Sequence, residues 1–226
     1  MLIAAAANLS EPFRVLGPRF EAATGIHPVF SFASTAELAH QIENGAPFEV
    51  FAAADRAHVD QLAVKGFMQQ GSASVYANGI LALWIPAGRN LGVARIQDLA
   101  STAVRVISVA KPQLAPYGEA AVTALKRAGI WEQVREKIVY AQSIGVAKQY
   151  GSSGNADAVL TAYSLVLHEK GLVLKIESAL YPPIEQSIGV VLHAKHPEGA
   201  REFVEFLLGP QGQAILREFG YIVASR

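Results

Sequence analysis

Four short stretches of this sequence combine small, hydroxyl or amide residues with the chemistry that starts a helix. Ala7-Asn8-Leu9-Ser10-Glu11-Pro12 follows an apolar run and sets a hydroxyl, an acid and a proline at a first helical turn. Ser34-Thr35 closes the β-favouring run Phe30-Ser31-Phe32-Ala33, ahead of Leu38, Ala39 and Ile42 at helical spacing. Pro116-Tyr117-Gly118 and Ser143-Ile144-Gly145 stand just ahead of two further helical patterns. A helix start leaves backbone N–H groups without intrahelical acceptors and carries the positive end of the helix dipole. Each junction is therefore a seat for an anion, made of neutral donors. Taken singly, each is also an ordinary strand-to-helix turn with a capping side chain. Their recurrence, twice in each half of the chain, is the reason to read them together.

Among side chains, the Tyr117 phenol is a candidate donor to a bound oxyanion, with packing on its own helix as the alternative. Asp55 reads as a helix cap, since a carboxylate in an anion site would repel the ligand. Tyr163 and Ser164 form a second hydroxyl pair, which reads as packing. Enzyme chemistry is poorly served. No G-x-S-x-G turn, dinucleotide fingerprint or phosphate loop is present, and Gly151-Ser152-Ser153-Gly154 lacks the lysine a phosphate loop needs. His193-x-x-His196 is the one close histidine pair, at a strand end with no third ligand nearby, so no metal site is expected.

The elements that must position these junctions follow from periodicity. A first helix pattern runs from Ser10 to Ala23 and closes at Gly25, with Pro18 inside it expected to kink or split it near Gly17. Strands are expected near His27 to Phe32 and Phe48 to Ala52, each followed by a helix. The opening order βαβαβα marks a parallel sheet with right-handed crossovers. Ser74 to Ile85 reads as one long strand and Ile184 to Leu192 as another. Between them, strands near Arg105 to Val109, Ile138 to Ala141 and Ala158 to Ala162 alternate with helices, and Gly151 to Asn155 reads as a flexible break. Helices at Pro197 to Leu208 and Gln211 to Phe219 end the chain.

The expected fold is α/β: a two-lobed, periplasmic-binding-protein-like clamp, each lobe a mostly parallel sheet flanked by helices. The two long strands would cross between lobes as a hinge, with residues 1–80 plus 190–226 in one lobe and 81–189 in the other.

Bulk composition narrows the function classes. The chain has 226 residues, enough for one large or two small domains with an ample core. Hydrophobic residues make up 51% and charged residues 17%, below the roughly 25% charged of ordinary globular chains. A net charge of +0, from 19 basic and 19 acidic residues, gives no electrostatic footprint for nucleic acid. With Cys 0, disulfides, zinc-thiolate sites and thiol nucleophiles are excluded. No apolar run reaches the roughly 20 residues needed to span a bilayer, so direct membrane insertion is not expected. Met1 leads straight into strand residues, so an exported protein of this sequence would have had its leader removed or replaced.

Several motifs carry a family resemblance. Ala5-Ala6-Ala7-Asn8-Leu9, Ser31-Phe32-Ala33-Ser34-Thr35, Gln41-Ile42-Glu43-Asn44-Gly45-Ala46-Pro47, Phe51-Ala52-Ala53-Ala54-Asp55, Leu208-Gly209-Pro210-Gln211-Gly212 and Phe219-Gly220-Tyr221 resemble the ModA family, the molybdate-binding proteins of bacterial ABC importers. The resemblance runs in matching order from residue 3 to about residue 221.

It implies a periplasmic or otherwise extracytoplasmic monomer, without cofactor or enzymatic activity. Such a protein binds molybdate or tungstate in an interlobe cleft and delivers it to the membrane permease of an ABC transporter. Carried over by position, it implies oxyanion contacts from Ala7 and Asn8, from Ser34 and Thr35, and from Ile144 beside Ser143. Many relatives have serine at the Asn8 position. Many also use a tyrosine where this chain has Ala162, with Tyr163 one step on; another branch places a tyrosine in the turn matching Tyr117, and this chain has it. The alternatives are a binding protein for sulfate or phosphate, an enzyme acting on a small anionic substrate, and a cytoplasmic sensor on the same fold.

Overall fold

A computed structural model describes residues 1–223, which fall into two compact units. Unit 1 comprises Met1–Gly79 and Glu185–Arg226; unit 2 comprises Ile80–Ile184. The second boundary thus falls at Ile184/Glu185, and residues 185–189 belong with the first unit rather than the second. The expected single strand from Ser74 to Ile85 is two strands in two different sheets, interrupted at Ile80.

In unit 1, β1 (Leu2–Ala6), β2 (Val29–Ala33), β3 (Val50–Ala53), β4 (Ser74–Gly79) and β10 (Ile184–Val190) form a sheet in the order β2-β1-β3-β10-β4. Strands β1, β2 and β3 are parallel, and β10 runs antiparallel to β3. The sheet is mixed, since a strand arriving from the other unit enters it against the direction of the first three. The alanine-rich β1 is buried on both faces: Ile3 and Ala5 enter one core with Val50 and Ala52, and Ala4 enters the other with Phe51 and Ala53. That two-sided burial is why the strand reads as an unbroken apolar run rather than an alternating one.

The helices of unit 1 are α1 (Ser10–Thr24), α2 (Thr35–Glu43), α3 (Ala57–Val64), α8 (Pro197–Leu208) and α9 (Pro210–Glu218). Phe13, Leu16 and Phe20 lie on one face of α1 at three- and four-residue intervals, and all three are fully buried. Phe13 and Phe20 meet Phe203 of α8 edge to face, with ring centroids 5.7 and 5.1 Å apart. Each such phenylalanine contributes about 1.5–3 kcal/mol by burial. Helix α1 ends at Gly25, whose φ of 74° is the left-handed cap that glycine adopts without strain. Pro18 does not split the helix as expected, for the helical run is continuous from Ser10 to Thr24.

In unit 2, β5 (Leu81–Pro86), β6 (Ile107–Ala110), β7 (Ile138–Ala141), β8 (Ala158–Ala162) and β9 (Gly171–Lys175) form a sheet in the order β7-β6-β8-β5-β9. Strands β7, β6 and β8 are parallel; β5 is antiparallel to both β8 and β9. This sheet too is mixed, with β5 alone running against the other four strands. The edge strand β9 has no counterpart in the sequence reading, because Gly171 and Leu172 are exposed and its residues show no clean burial pattern.

The helices of unit 2 are α4 (Pro116–Arg127), α5 (Trp131–Val134), α6 (Ile144–Ser152) and α7 (Tyr163–Val166). Two expectations change here. Pro116 and Tyr117 occupy the first turn of α4 instead of a turn before it, with the proline at a position that needs no N–H. Gly151 and Ser152 belong to α6, and Gly151 is packed so closely on Val159 and Trp84 that a side chain would not fit, so the break begins only after them.

Candidate functional site

Each unit carries two of the four junctions at the carboxyl ends of neighbouring parallel strands. Ala6 at the end of β1 pairs with Ala33 at the end of β2, so the turn Ala7–Leu9 and the start of α2 emerge side by side. Ala110 at the end of β6 pairs with Ala141 at the end of β7, so the starts of α4 and α6 emerge from adjacent strands of the second sheet. Carboxyl-end turns of parallel strands are where α/β sheets bind ligands.

In unit 1, Ala7-Asn8-Leu9 forms a tight 3-10 turn, all three residues buried. The Asn8 amide nitrogen spends both of its protons inside the unit, on Gln186 Oε1 at 2.7 Å and on the Tyr221 hydroxyl at 2.7 Å. Its side chain therefore secures the turn, and the donors that the turn can offer a ligand are its backbone N–H groups. Ser34 occupies the N-cap position of α2, yet its side chain makes no capping bond. With 3% of its surface exposed, its Oγ makes no hydrogen bond among the described residues. A buried hydroxyl without a partner costs about 1–3 kcal/mol, so one retained at a helix start points to a partner that comes and goes. Thr35 is the first residue of α2, and its Oγ1 accepts the Ala54 N–H at 3.1 Å, tying the helix start to the end of β3.

Asp55, next in the chain, caps as read from the sequence. Its carboxylate accepts the His58 backbone N–H at 2.9 Å and lies 2.7 Å from His58 Nδ1. The hydrogen bond that the His58 ring gives to Asp55 raises the His58 pKa above its ordinary 6.5; burial opposes this, and the charges of Asp55 and Glu43 add to it.

In unit 2, Ser143 is the N-cap of α6, and its Oγ accepts the Val146 N–H at 3.3 Å. Ile144 follows at the first helical position, 3% exposed, with a backbone N–H that has no acceptor within the helix. Tyr117, 1% exposed, sits in the first turn of α4. Gly118 beside it lets that turn lie directly on the Ala110 carbonyl, where a side chain would collide with backbone. Tyr163 opens α7 directly after β8, the strand parallel to and beside β6, with the Lys175 ammonium 4.4 Å from its ring centroid and its N–H given to Ile80 O.

The sequence-expected residues thus gather within each unit: Ala7, Asn8, Ser34 and Thr35 at one sheet edge, Tyr117, Ser143 and Ile144 at the other. Gln186, Tyr76 and Tyr221 escaped the sequence reading of the site. Their shared signal is polarity in a buried place: Gln186 is fully buried in β10. His196 Nδ1 lies 2.9 Å from Glu49 Oε2, and no group of three or more metal-ligating side chains occurs among the described residues. None of these residues' helices is long and apolar enough to cross a membrane.

A family model described as bacterial extracellular solute-binding protein matches residues 1–222. The molybdate-binding protein ModA of Rhodobacter capsulatus is 32% identical over 226 residues, covering 98% of this chain and 88% of the relative. The ModA of Azotobacter vinelandii is 35% identical over 225 residues, covering 97% and 88%. Among solved structures, the Azotobacter vinelandii periplasmic molybdate-binding protein superposes with a TM-score of 0.93 at 30% identity, over 100% of both chains.

Proposed function

This chain belongs to the bacterial extracellular solute-binding protein family, and from that premise we propose that it captures molybdate, and tungstate with it, for an ABC importer. The observation that carries the reading is the buried, unpartnered Ser34 hydroxyl at the start of α2, in a chain similar over nearly its whole length to proteins named for molybdate binding. In this reading the ligand donors are neutral: backbone N–H groups at Ala7 and Asn8, the Ser34 hydroxyl with the N–H groups that open α2, the Tyr117 phenol, and the Ile144 N–H beside Ser143. Thr35 holds the α2 start in place.

Neutral donors suit a tetrahedral dianion. Hydrogen bonds to a charged acceptor are about twice as strong as neutral ones, and helix N-termini supply partial positive charge without a counter-ion. In this reading the protein binds and releases its ligand unchanged. Delivery to a membrane permease, action as a monomer outside the cytoplasm, and work without a cofactor complete the proposal.

Thermal melting with and without each anion tests it. Molybdate or tungstate at about 100 times Kd should add about 2.7 kcal/mol to stability and raise Tm, while sulfate and phosphate at equal concentration should leave Tm in place. Equal shifts with sulfate would remove the specificity, and no shift with any oxyanion would remove the site.

A further inference from the structure

Behind the donor turns of unit 1 runs a chain of buried hydrogen bonds centred on Gln186. Its Oε1 accepts from Asn8 Nδ2 at 2.7 Å and stands 3.2 Å from the Tyr76 hydroxyl; its Nε2 donates to Ala54 O at 3.2 Å. Tyr221 accepts the other Asn8 Nδ2 proton at 2.7 Å and returns its own to Asn8 O at 2.9 Å. The Tyr76 hydroxyl has one proton to divide between Gln186 Oε1 and Ala53 O, the latter at 3.1 Å.

A peptide group is planar, so fixing its carbonyl oxygen also fixes the direction of the N–H across the bond. Tyr221 thereby aims the Leu9 N–H, Gln186 the Asp55 N–H, and Tyr76 the Ala54 N–H. The last of these donates to Thr35 Oγ1 at 3.1 Å, at the helix start beside Ser34. One side chain from β10 thus connects the turn after β1, the turn after β3 and the opening of α2, across 178 positions of sequence in its bond to Asn8.

We propose that Gln186, acting with Asn8 and Tyr221, is a positioning residue that sets the spacing of the unit 1 donors and so the size of oxyanion they accept. This rests on the oxyanion-binding reading above. Molybdate and sulfate share shape and charge and differ in radius, so donors distinguish them only as far as their spacing is held. Hydrogen bonds weaken steeply once stretched or bent, and a smaller anion cannot reach every donor of a rigid set. If the turns were free to shift, they would close onto the smaller anion as well. The buried bonds that tie Gln186 to Asn8, Tyr76 and Ala54, and Tyr221 to Asn8, supply the rigidity.

Gln186→Met removes these bonds at nearly constant volume, and Tyr221→Phe removes a single hydroxyl. Wild type and both variants are titrated calorimetrically with molybdate and with sulfate, and each is melted without ligand. The expected result is that the preference, Kd for sulfate over Kd for molybdate, falls by about tenfold or more in Gln186→Met and by less in Tyr221→Phe. A variant that melts lower but keeps the wild-type preference overturns the proposal and leaves Gln186 a structural residue. If Gln186→Met does not fold, the preference of Tyr221→Phe decides in the same way. Wild type that binds neither anion overturns the oxyanion reading and the proposal together; wild type that prefers molybdate beside variants that prefer it equally overturns the proposal alone.

Discussion

Replacing Ser34 by alanine separates a ligand donor from a structural hydroxyl. Ser34 Oγ is buried and makes no hydrogen bond among the described residues, so the ligand-free protein loses no interaction when it is removed. Stability without ligand should be unchanged or raised by up to about 1 kcal/mol, since an unsatisfied polar group disappears from the interior. With molybdate bound, the same deletion removes a hydrogen bond to a charged acceptor, which is worth about 1.5–3 kcal/mol. At about 1.4 kcal/mol per decade, Kd should rise about 10- to 150-fold. Thr35→Val is the contrasting variant. It strands the Ala54 N–H that Thr35 Oγ1 accepts at 3.1 Å, so it should lower ligand-free stability by about 1–3 kcal/mol. Chemical denaturation of both variants without ligand, followed by calorimetric titration with molybdate, reads both numbers. A Ser34→Ala protein that melts lower yet titrates like wild type would refute the reasoning, because the hydroxyl would then be serving the fold.

Two further outcomes are expected. Tyr117→Phe keeps the buried ring and loses the phenol, so molybdate affinity should fall by about 1–3 kcal/mol in a titration; an unchanged isotherm would return Tyr117 to packing. The Asp55–His58 pair should make stability depend on pH: with the folded pKa of His58 raised above 6.5, its contribution is complete below about that pH and is lost as pH rises through the raised value. His58→Gln should therefore flatten the decline of stability as pH rises from about 6.5 in a pH series of denaturation curves, and an unaltered slope would show that the pair contributes nothing.

The legible parts of this chain are those set by neighbours in sequence. The start of α6 at Ser143-Ile144 follows from a hydroxyl placed ahead of apolar residues at helical spacing, its capping bond from the Val146 N–H completed three residues on; α2 also opens at Ser34-Thr35, but neither hydroxyl caps it locally. Asp55 was legible as a cap for the same reason, its partner His58 being three positions away.

What stayed hidden depends on long-range packing. Asn8 reads as a ligand donor because its turn opens a helix, yet its amide protons go to Gln186 and Tyr221, 178 and 213 positions away. No local pattern encodes that. Pro18 reads as a helix breaker by propensity, while Phe13, Leu16 and Phe20 bury one continuous face on both sides of it, and tertiary burial prevails. The run from Ser74 to Ile85 reads as one strand because apolar residues continue through Ile80; only the pairing of β4 with one sheet and β5 with the other reveals the interruption. Edge strand β9 shows little because an edge has few burial demands to impress on its sequence.

Neutral donors at helix starts, rather than cationic side chains or a metal, are held here to bind a doubly charged oxyanion. The most direct test is a crystal structure of the protein grown with molybdate, with the ion located by anomalous scattering from molybdenum. The expected result is one ion within hydrogen-bond distance of Ser34 Oγ, the Tyr117 hydroxyl and the backbone N–H of Ile144, with no lysine or arginine nitrogen in contact. An ion seated on lysine or arginine side chains, away from these helix starts, would contradict it.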